Sequence, residues 1–477
     1  MVLADFKSAG AGQAGAVGSI PTPSAKFMTK LSVLPSIEKL IERPEFVPFI
    51  DSLSRPLVVE TARSVVADFR EKVRTGNNFE ETELIEVIIQ RLKEKERRFL
   101  IRLINGTGVI LHTNLGRAPL SRRSLEKAAE LLSGYVNLEY DLKTGERGGR
   151  GAFVEELFYL ISGAEAALVV NNNASALYLT LSVLAKGREV VISRGELVQI
   201  GGGFKIPEIL ETSGAVLREV GTTNRTVFAD YEKAINDKTA LILKVHTSNF
   251  KQVGFVESVP AAELAALARS KDVLLIDDLG SGAFVSTERF GLPREPLVSS
   301  AVDAGCDLVT FSGDKLLAGP QAGIAVGKKE VVERLKKSPL FRALRVDKLY
   351  FLLLGEALKY YLNQKETGEL PVYRLLSMPF EQLKARAEKI ARQFQKQGVE
   401  TVLTDGQVGG GALPEELLPS WGLALPEIYP ANVWEEKLRL ASPPVIGKIV
   451  KDRFIVDLRA VFPEEDEVLV SVLKTVL

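Results

Sequence analysis

The sequence predicts an α/β protein built around an open, mostly parallel β-sheet. Two observations lead to this prediction. Seven short apolar segments have the length and composition of buried strands, and stretches with helical periodicity lie between most of them. Strands that alternate with helices favour parallel pairing through right-handed crossovers. The predicted strands are residues 166–170, 189–193, 215–220, 240–246, 273–278, 308–312 and 322–327.

Composition and charge restrict the class of protein. The chain has 477 residues, of which 46% are hydrophobic and 26% charged, as in a globular protein of about three domains. Its 61 basic and 61 acidic residues balance, which argues against a nucleic-acid binder that relies on bulk positive charge. One cysteine and two histidines leave no pattern for a disulfide framework or a metal site. We expect a cytoplasmic protein, with Cys306 as a small core residue.

Two segments precede the predicted sheet. Residues 1–27 are rich in Gly, Ala, Ser and Pro, and we interpret them as a disordered leader or tag. Residues 28–104 have apolar residues at helical spacing and predict a small helical domain. Six basic residues between Arg91 and Arg102 form either a solvated helix face or a surface that contacts phosphates.

Two larger domains are predicted after the helical one. Residues 105–345 contain the predicted strands and form the large α/β domain. Residues 346–477 begin with a long predicted helix over 346–364 and continue with strand-like segments at 401–405 and 447–459. We therefore expect an α+β C-terminal domain.

A lysine follows one of the predicted buried strands. In DLVTFSGDKLLAGPQAG (307–323), Asp314 and Lys315 lie between a strand and a turn rich in Gly and Pro. Open α/β sheets bind ligands at the carboxyl edge of their strands. A lysine there can form a Schiff base with an aldehyde cofactor such as pyridoxal phosphate. By itself, the stretch is equally compatible with an ordinary surface lysine.

Two carboxylates end another predicted strand. VLLIDDLGSGAF (273–284) places Asp277 and Asp278 at the strand end. Pyridoxal-phosphate enzymes need a carboxylate at the pyridinium nitrogen, because the protonated ring is the electron sink. We predict this role for Asp277, since about one strand–helix–strand unit separates it from Lys315. The alternative is that the two carboxylates only cap a turn or helix.

A third stretch has the pattern of a phosphate site. ALVVNNNASALYLTL (167–181) leads from a predicted strand into a predicted helix. Backbone N–H groups and the dipole at a helix N-terminus attract anions. Asn173 and Ser175 either cap this helix or contact a phosphate group.

The order of phosphate loop, carboxylate and lysine resembles that of the fold-type-I, aspartate-aminotransferase-like pyridoxal-phosphate enzymes. INGTGVILHTNLGRAPLS (104–121), LEYDLKTGERGGRG (138–151) and TFSGDKLLAGPQAG (310–323) are similar to the bacterial selenocysteine synthases, the L-seryl-tRNA(Sec) selenium transferases. The similarity extends from about Leu31 to the end of the chain. Gly106 departs from the alanine of many family members, which affects no catalytic residue.

The resemblance implies a reaction and a cofactor. L-seryl-tRNA(Sec) would become L-selenocysteinyl-tRNA(Sec), with selenophosphate as selenium donor, through a pyridoxal 5'-phosphate aldimine and an aminoacrylyl-tRNA intermediate. Lys315 would bind the cofactor and then act as a base, and Asp277 would hold the ring nitrogen. Asp314 is a candidate proton donor to the leaving hydroxyl group. We expect three further cofactor contacts, from Asn173, Ser175 and His246.

The resemblance also implies an anion pocket for selenophosphate, formed by Arg117, Arg342 and Arg345. Guanidinium groups match phosphate oxygens in a bidentate manner. Arg342 and Arg345 would share a face if both were helical, and a pair of surface salt-bridge arginines is the alternative. Arg147 and Arg150 are weaker candidates for the same pocket.

Partners follow from the same resemblance. It implies a homo-oligomer, a pentamer of dimers with active sites at dimer interfaces, and it assigns tRNA(Sec) binding to residues 28–104. The alternative enzyme is a paralogous pyridoxal-phosphate-dependent lyase acting on a small phosphorylated amino acid or amino sugar. Such a lyase has no need of residues 28–104, so their presence favours the tRNA enzyme. A non-catalytic tRNA-binding protein, the remaining alternative, would not need Lys315.

Overall fold

The structure is a computed structural model that describes residues 34–75, 80–200, 203–413 and 416–477. It divides into two compact units, one that ends at Arg102 and one over Leu103–Leu477. The predicted leader, residues 1–27, lies outside the described residues, and the predicted boundary after residue 345 stays a prediction. Within the described ranges, no helix has the length and apolarity needed to cross a membrane.

The N-terminal unit is helical, as its periodicity predicts. Leu40, Phe46, Val65 and Ile88 belong to its separate apolar core, in which they are almost completely buried. Proline occupies the first turn of two helices, where its missing N–H group costs no hydrogen bond. The helices are α1 (Ile37–Ile41), α2 (Val47–Leu53), α3 (Arg55–Arg74) and α4 (Glu81–Glu96).

The second unit contains all of the described strands. In chain order they are β1 (Ile104–Asn105), β2 (Ala166–Val170), β3 (Glu189–Ser193), β4 (Gln199–Ile200), β5 (Phe204–Lys205), β6 (Val216–Val220), β7 (Thr239–Val245), β8 (Leu274–Gly280), β9 (Leu308–Ser312), β10 (Gly323–Gly327), β11 (Glu400–Gln407), β12 (Leu417–Ala424), β13 (Val445–Ile446), β14 (Lys448–Val450) and β15 (Arg453–Asp457). The seven strands predicted from the sequence are β2, β3 and β6–β10.

Helices connect and cover these strands. They are α5 (Arg122–Leu132), α6 (Ala152–Ser162), α7 (Asn173–Leu184), α8 (Ile206–Ser213), α9 (Phe228–Ala234), α10 (Ala261–Ser270), α11 (Val298–Asp303), α12 (Lys329–Lys337), α13 (Pro339–Leu344), α14 (Lys348–Leu362), α15 (Glu366–Glu369), α16 (Pro371–Leu376), α17 (Phe380–Ala391), α18 (Ala431–Arg439) and α19 (Asp466–Val476). Helix α14 is the long helix that the sequence predicts over 346–364.

The central sheet has seven strands in the order β2-β10-β9-β8-β7-β3-β6. Strands β6, β3, β7, β8 and β9 pair in parallel, whereas β10 is antiparallel to both of its neighbours. The prediction of a mostly parallel sheet is therefore confirmed. All five residues of β9 and of β10 are buried, as expected for strands covered on both faces.

A second, antiparallel sheet has the order β11-β12-β15-β14 and packs with helix α17. Together with α18 and α19 it gives the α+β character that the sequence predicts for this part of the chain. The short strand β1 pairs in parallel with β13, so that the segment after Arg102 joins the C-terminal part of the fold.

Side chains alternate between the two faces of β8. Leu275 belongs to the apolar core on one face of the central sheet, and Ile276 to the core on the other. Asp277 lies on the same face as Leu275, and Asp278 lies on the same face as Ile276. This alternation decides which of the two carboxylates shares a cavity with Lys315.

Candidate active site

A cavity of about 280 Å³ lies at the carboxyl edge of the central sheet. The ends of β2, β7, β8 and β9 bring their loops together there, as expected for an open α/β sheet. Its lining includes ten polar or charged side chains: Arg117, Asn172, Asn173, His246, Ser248, Asp278, Ser312, Asp314, Lys315 and Gln321. Five residues predicted for the site are therefore brought together: Asn173, His246, Lys315, Asp314 and Arg117.

Lys315 is a buried amine, with 5% of its surface exposed. Burial and the nearby Arg117 lower the pKa of Lys315, while Asp278, Asp314 and Glu295 oppose the shift. A lower pKa increases the fraction of neutral amine, which is the nucleophilic and basic form. The environment of Lys315 thus suits covalent and proton-transfer chemistry.

Asp278, and not Asp277, is the carboxylate in the Lys315 cavity. Asn173 donates a hydrogen bond from Nδ2 to Asp278 Oδ1 over 2.7 Å, and Thr310 donates to the same oxygen over 3.0 Å. Burial raises the pKa of Asp278, and these two hydrogen bonds together with Lys315 counteract the rise. Both of these hydrogen bonds reach Oδ1, and Asp278 lines the cavity beside Lys315.

Asp277 lines a different cavity, of about 500 Å³, on the other face of β8. Burial raises the pKa of Asp277 to about 7, although Lys244 acts in the opposite direction. Its Oδ1 atom is buried without a hydrogen-bond partner. Cys306 is close by and buried, as predicted for a small core residue. The expected contact between Asp277 and a cofactor held by Lys315 does not fit this placement, because adjacent strand residues point to opposite faces.

The start of helix α7 forms one wall of the Lys315 cavity. Asn172 is the N-cap residue, and its Oδ1 accepts a hydrogen bond from Ser175 N over 2.9 Å. Asn173 Oδ1 is buried without a partner, so the described chain leaves one acceptor in the cavity unsatisfied. Ser175 is absent from the residues that line the cavity, and only its backbone N–H takes part in the cap. The capping role considered for Asn173 belongs to Asn172.

Arg117 and Asp314 form an ion pair at the mouth of the site. Arg117 Nη1 donates to Asp314 Oδ2 over 3.1 Å, and Ala118 N donates to the carbonyl oxygen of Asp314 over 3.3 Å. Arg117 has a φ of +59°, a left-handed conformation that is unusual for a residue with a side chain. The substrate-binding role expected for Arg117 and the proton-donor role expected for Asp314 therefore belong to two side chains that are bonded to each other.

Arg342 and Arg345 are placed differently from each other. Helix α13 ends at Leu344 and Arg345 is extended, so the expectation of a shared helical face is wrong. Arg345 Nη1 lies 3.6 Å from Glu139 Oε1, whereas the side chain of Arg342 is exposed. Neither arginine lines the Lys315 cavity, but Asn171 N bonds to Leu344 O and brings this segment beside the loop before α7.

Glu139 contacts three of the predicted arginines. It accepts hydrogen bonds from Arg150 and Arg147 and forms the ion pair with Arg345. The hydrogen bond from Arg150 is the main reason that the pKa of Glu139 is lowered. Glu139 was not predicted from the sequence, because a lone glutamate in a polar loop gives no signal until the fold brings three arginines to it.

Gly411 lies close to the amine of Lys315. A Cβ atom on Gly411 would lie 2.5 Å from Lys315 Nζ, and the φ of Gly411 is +90°. The backbone conformation therefore favours glycine at this position, and a Cβ atom there would also require the end of the Lys315 side chain to shift. The GGG run at 409–411 belongs to the part of the chain that resembles the family, but only the fold shows its contact with Lys315.

Comparison of folds defines the class. D-glucosaminate-6-phosphate ammonia-lyase superposes with a TM-score of 0.58 at 21% identity, covering 80% of this chain and 97% of the lyase. This similarity concerns the fold alone. The predicted fold class is confirmed: the chain has an α/β fold around a mostly parallel sheet and shares this fold with the lyase.

Comparison of sequences defines the family. The model of the L-seryl-tRNA selenium transferase family matches residues 103–462, and that of the selenocysteine synthase N-terminal region matches residues 31–70. An L-seryl-tRNA(Sec) selenium transferase of Carboxydothermus hydrogenoformans is 45% identical over 91% of this chain and 95% of its own length. One from Desulfotalea psychrophila is 48% identical over 81% of this chain and 84% of its own. The chain belongs to the L-seryl-tRNA selenium transferase family.

Proposed function

We propose that this chain converts L-seryl-tRNA(Sec) to L-selenocysteinyl-tRNA(Sec), with selenophosphate as selenium donor and pyridoxal 5'-phosphate as cofactor. Family membership over most of the chain supports the reaction. The observation that supports the chemistry most directly is the cavity that combines the buried amine of Lys315 with the carboxylate of Asp278.

The residues of the cavity fit pyridoxal phosphate. Lys315 offers an amine for its aldehyde, and Asp278 offers a carboxylate oxygen for its ring nitrogen. Asn173 Oδ1 is a buried acceptor that the protein leaves unpaired. The N-terminus of α7 adds backbone N–H groups suited to a phosphate group. We therefore assign the ring-nitrogen contact to Asp278 in place of Asp277.

Pyridoxal phosphate supplies an electron sink for bond changes at the amino-bearing carbon of a substrate. Lys315 would hold it through its amine and, with that amine free, would accept the proton from that carbon, since its lowered pKa favours the neutral amine. Asp278 would hold the proton at the ring nitrogen, and its hydrogen bonds from Asn173 and Thr310 fix the orientation of its carboxyl group.

Asp314 is the candidate proton donor to the leaving hydroxyl group, a role that requires it to take up a proton while it is paired with Arg117. It lies beside Lys315 and is bonded to Arg117, so its carboxyl group has a fixed orientation in the cavity. Arg117 also offers a positive charge to an anionic donor such as selenophosphate. Arg345 and Arg342 extend this positive charge along the neighbouring segment, with Glu139 holding Arg345 in place.

We assign binding of tRNA(Sec) to the N-terminal helical unit. We also propose that the enzyme acts in the cytoplasm as a homo-oligomer, a pentamer of dimers. The match of residues 31–70 to the N-terminal region of selenocysteine synthases supports the assignment of tRNA(Sec) binding to this unit. The basic run from Arg91 to Arg102 offers positive charge for phosphate contacts.

The test is a conversion assay with selenophosphate and two substrates, seryl-tRNA(Sec) and seryl-tRNA(Ser). We expect selenocysteinyl product from the first substrate and none from the second. Release of ammonia from a small phosphorylated amino acid or amino sugar, without any reaction of seryl-tRNA(Sec), would instead support a lyase. The family match favours the tRNA reaction.

A further inference from the structure

The imidazole of His246 makes one side-chain hydrogen bond within the described chain. Its Nε2 atom lies 3.1 Å from Oε1 of Glu295. His246 follows β7 and lines both the Lys315 cavity and the cavity of about 500 Å³ that contains Asp277. The orientation of this ring therefore affects the surface that a ligand meets beside Lys315.

Glu295 is a buried carboxylate, with 2% of its surface exposed. Among the described residues no lysine or arginine lies within salt-bridge distance of it, and His246 is its one ionisable partner. The backbone N–H of Glu295 donates to Thr287 Oγ1 over 3.0 Å, and this hydrogen bond holds the backbone of Glu295 in place. A buried carboxylate is costly unless hydrogen-bonded, so this arrangement requires the histidine.

We propose that Glu295 is a positioning residue that orients His246 toward the cofactor in the Lys315 cavity. This inference rests on the proposed function. A carboxylate can only accept a hydrogen bond, so it places the proton of His246 on Nε2 and fixes both the tautomer and the plane of the ring. His246 then contacts the cofactor in one orientation, and Glu295 acts through it without touching the substrate.

The charge of Glu295 has only a small influence on Lys315, less than that of Asp278 or Asp314. Glu295 is one of three carboxylates that oppose the lowering of the Lys315 pKa, together with Asp278 and Asp314. The hydrogen bond and the charge can be separated by substitution. Glu295→Gln keeps an acceptor oxygen for Nε2–H and removes the charge, whereas Glu295→Ala removes both.

The test measures the visible circular dichroism of bound pyridoxal phosphate and the turnover of seryl-tRNA(Sec) in the full chain. We expect Glu295→Ala to change the cofactor signal and lower turnover by roughly tenfold, as for outer partners that orient a histidine. Glu295→Gln should keep both close to those of the unmodified protein. The exposed Glu211 in α8 gives a matched control, and Glu211→Ala should change neither.

A double-mutant cycle distinguishes positioning from a purely structural role. In a His246→Ala background, Glu295→Ala should cause little further change in the cofactor signal, because the two residues act as one unit. Additive effects of the two substitutions would overturn the proposal, as would equal losses in Glu295→Gln and Glu295→Ala. The cofactor signal does not depend on the tRNA substrate, so this outcome is distinct from failure of the selenium-transfer assay.

Discussion

At the scale of single residues, the chemistry depends on a buried amine. Lys315 lines the cavity at the sheet edge, and its lowered pKa favours the reactive neutral form. We predict that Lys315→Ala abolishes turnover of seryl-tRNA(Sec) and removes the visible absorption band of lysine-bound pyridoxal phosphate. Far-ultraviolet circular dichroism should be unchanged. A variant that kept both the band and the turnover would place the cofactor on another lysine.

The two adjacent carboxylates of β8 give a matched pair of variants. We predict that Asp278→Asn raises the activation barrier of turnover by several kcal/mol, because an amide cannot hold a proton at the ring nitrogen. Each ~1.4 kcal/mol of barrier corresponds to a tenfold decrease in rate. Asp277→Asn should leave the cofactor absorption band unchanged, since Asp277 faces the other cavity. Single-turnover kinetics and absorption spectra measure both effects. A severe effect of Asp277→Asn with a mild one of Asp278→Asn would reverse our assignment.

The choice between these two carboxylates could not be made from the sequence. Strand β8 is buried on both faces, so hydrophobic residues flank Asp277 and Asp278 equally and no alternation of polar and apolar positions shows which one faces the cavity. Lys315, Asp314 and Asn173 were predictable, because each follows directly after a recognisable strand. Glu295 was missed because it lies in a loop far along the chain from His246.

At the scale of elements, the strands of the central sheet were predictable because short apolar runs alternate with helical patterns. The antiparallel direction of β10 was not anticipated. Ten residues, 313–322, connect β9 to β10 and contain no helix, whereas a parallel crossover needs a dozen residues or more. The end of helix α13 at Leu344 was also missed, since the extended conformation of Arg345 is stabilised by its bridge to Val170. Such long-range contacts leave no periodic pattern in the sequence.

The N-terminus of helix α7 gives a prediction at the same scale. Asn172 accepts the hydrogen bond of Ser175 N and lines the Lys315 cavity. We predict that Asn172→Ala lowers the free energy of unfolding by about 1 kcal/mol, the usual effect of losing an N-cap. It should also weaken pyridoxal phosphate binding, because the first turn would no longer hold its N–H groups toward the cavity.

The control for this prediction is Asn172→Ser, which keeps a capping oxygen and should retain most of the stability. Urea denaturation measures the free energy of unfolding, and titration with pyridoxal phosphate measures its affinity. Equal affinity of the alanine and serine variants for pyridoxal phosphate would show that the N-cap does not contribute to cofactor binding. It would contradict the placement of the α7 N-terminus in the proposed site.

At the scale of the whole molecule, the chain combines two units with separate cores. The unit that ends at Arg102 has its own apolar cluster around Phe46 and Ile88, whereas all the residues of the Lys315 cavity belong to Leu103–Leu477. The sequence predicts a domain boundary after residue 104, because helical periodicity stops where the strand-rich stretch begins, and the two compact units divide after Arg102. The two units have separate apolar cores, which motivates a separate test of their functions.

We predict that a chain limited to Leu103–Leu477 binds pyridoxal phosphate but loses most of its affinity for tRNA(Sec). The cofactor residues are all retained, whereas the unit proposed to bind the tRNA is removed. Absorption spectra and filter-binding titrations measure the two properties on the same preparation. Unchanged tRNA affinity would contradict the assignment of the helical unit, and loss of the cofactor band would show that the units depend on each other.

The full chain with Arg97→Glu and Arg98→Glu tests the basic run more finely. Removing one arginine–phosphate interaction should reduce the slope of log affinity against log salt by about one, because fewer counterions are released on binding. Affinity for tRNA(Sec) should therefore fall most at low salt, and the difference from the unmodified protein should narrow as salt is added. Charge reversal at Arg122 and Arg123, on helix α5 of the other unit, provides the control. If both double variants lost affinity equally, bulk charge and not the placement of the basic run would explain the binding.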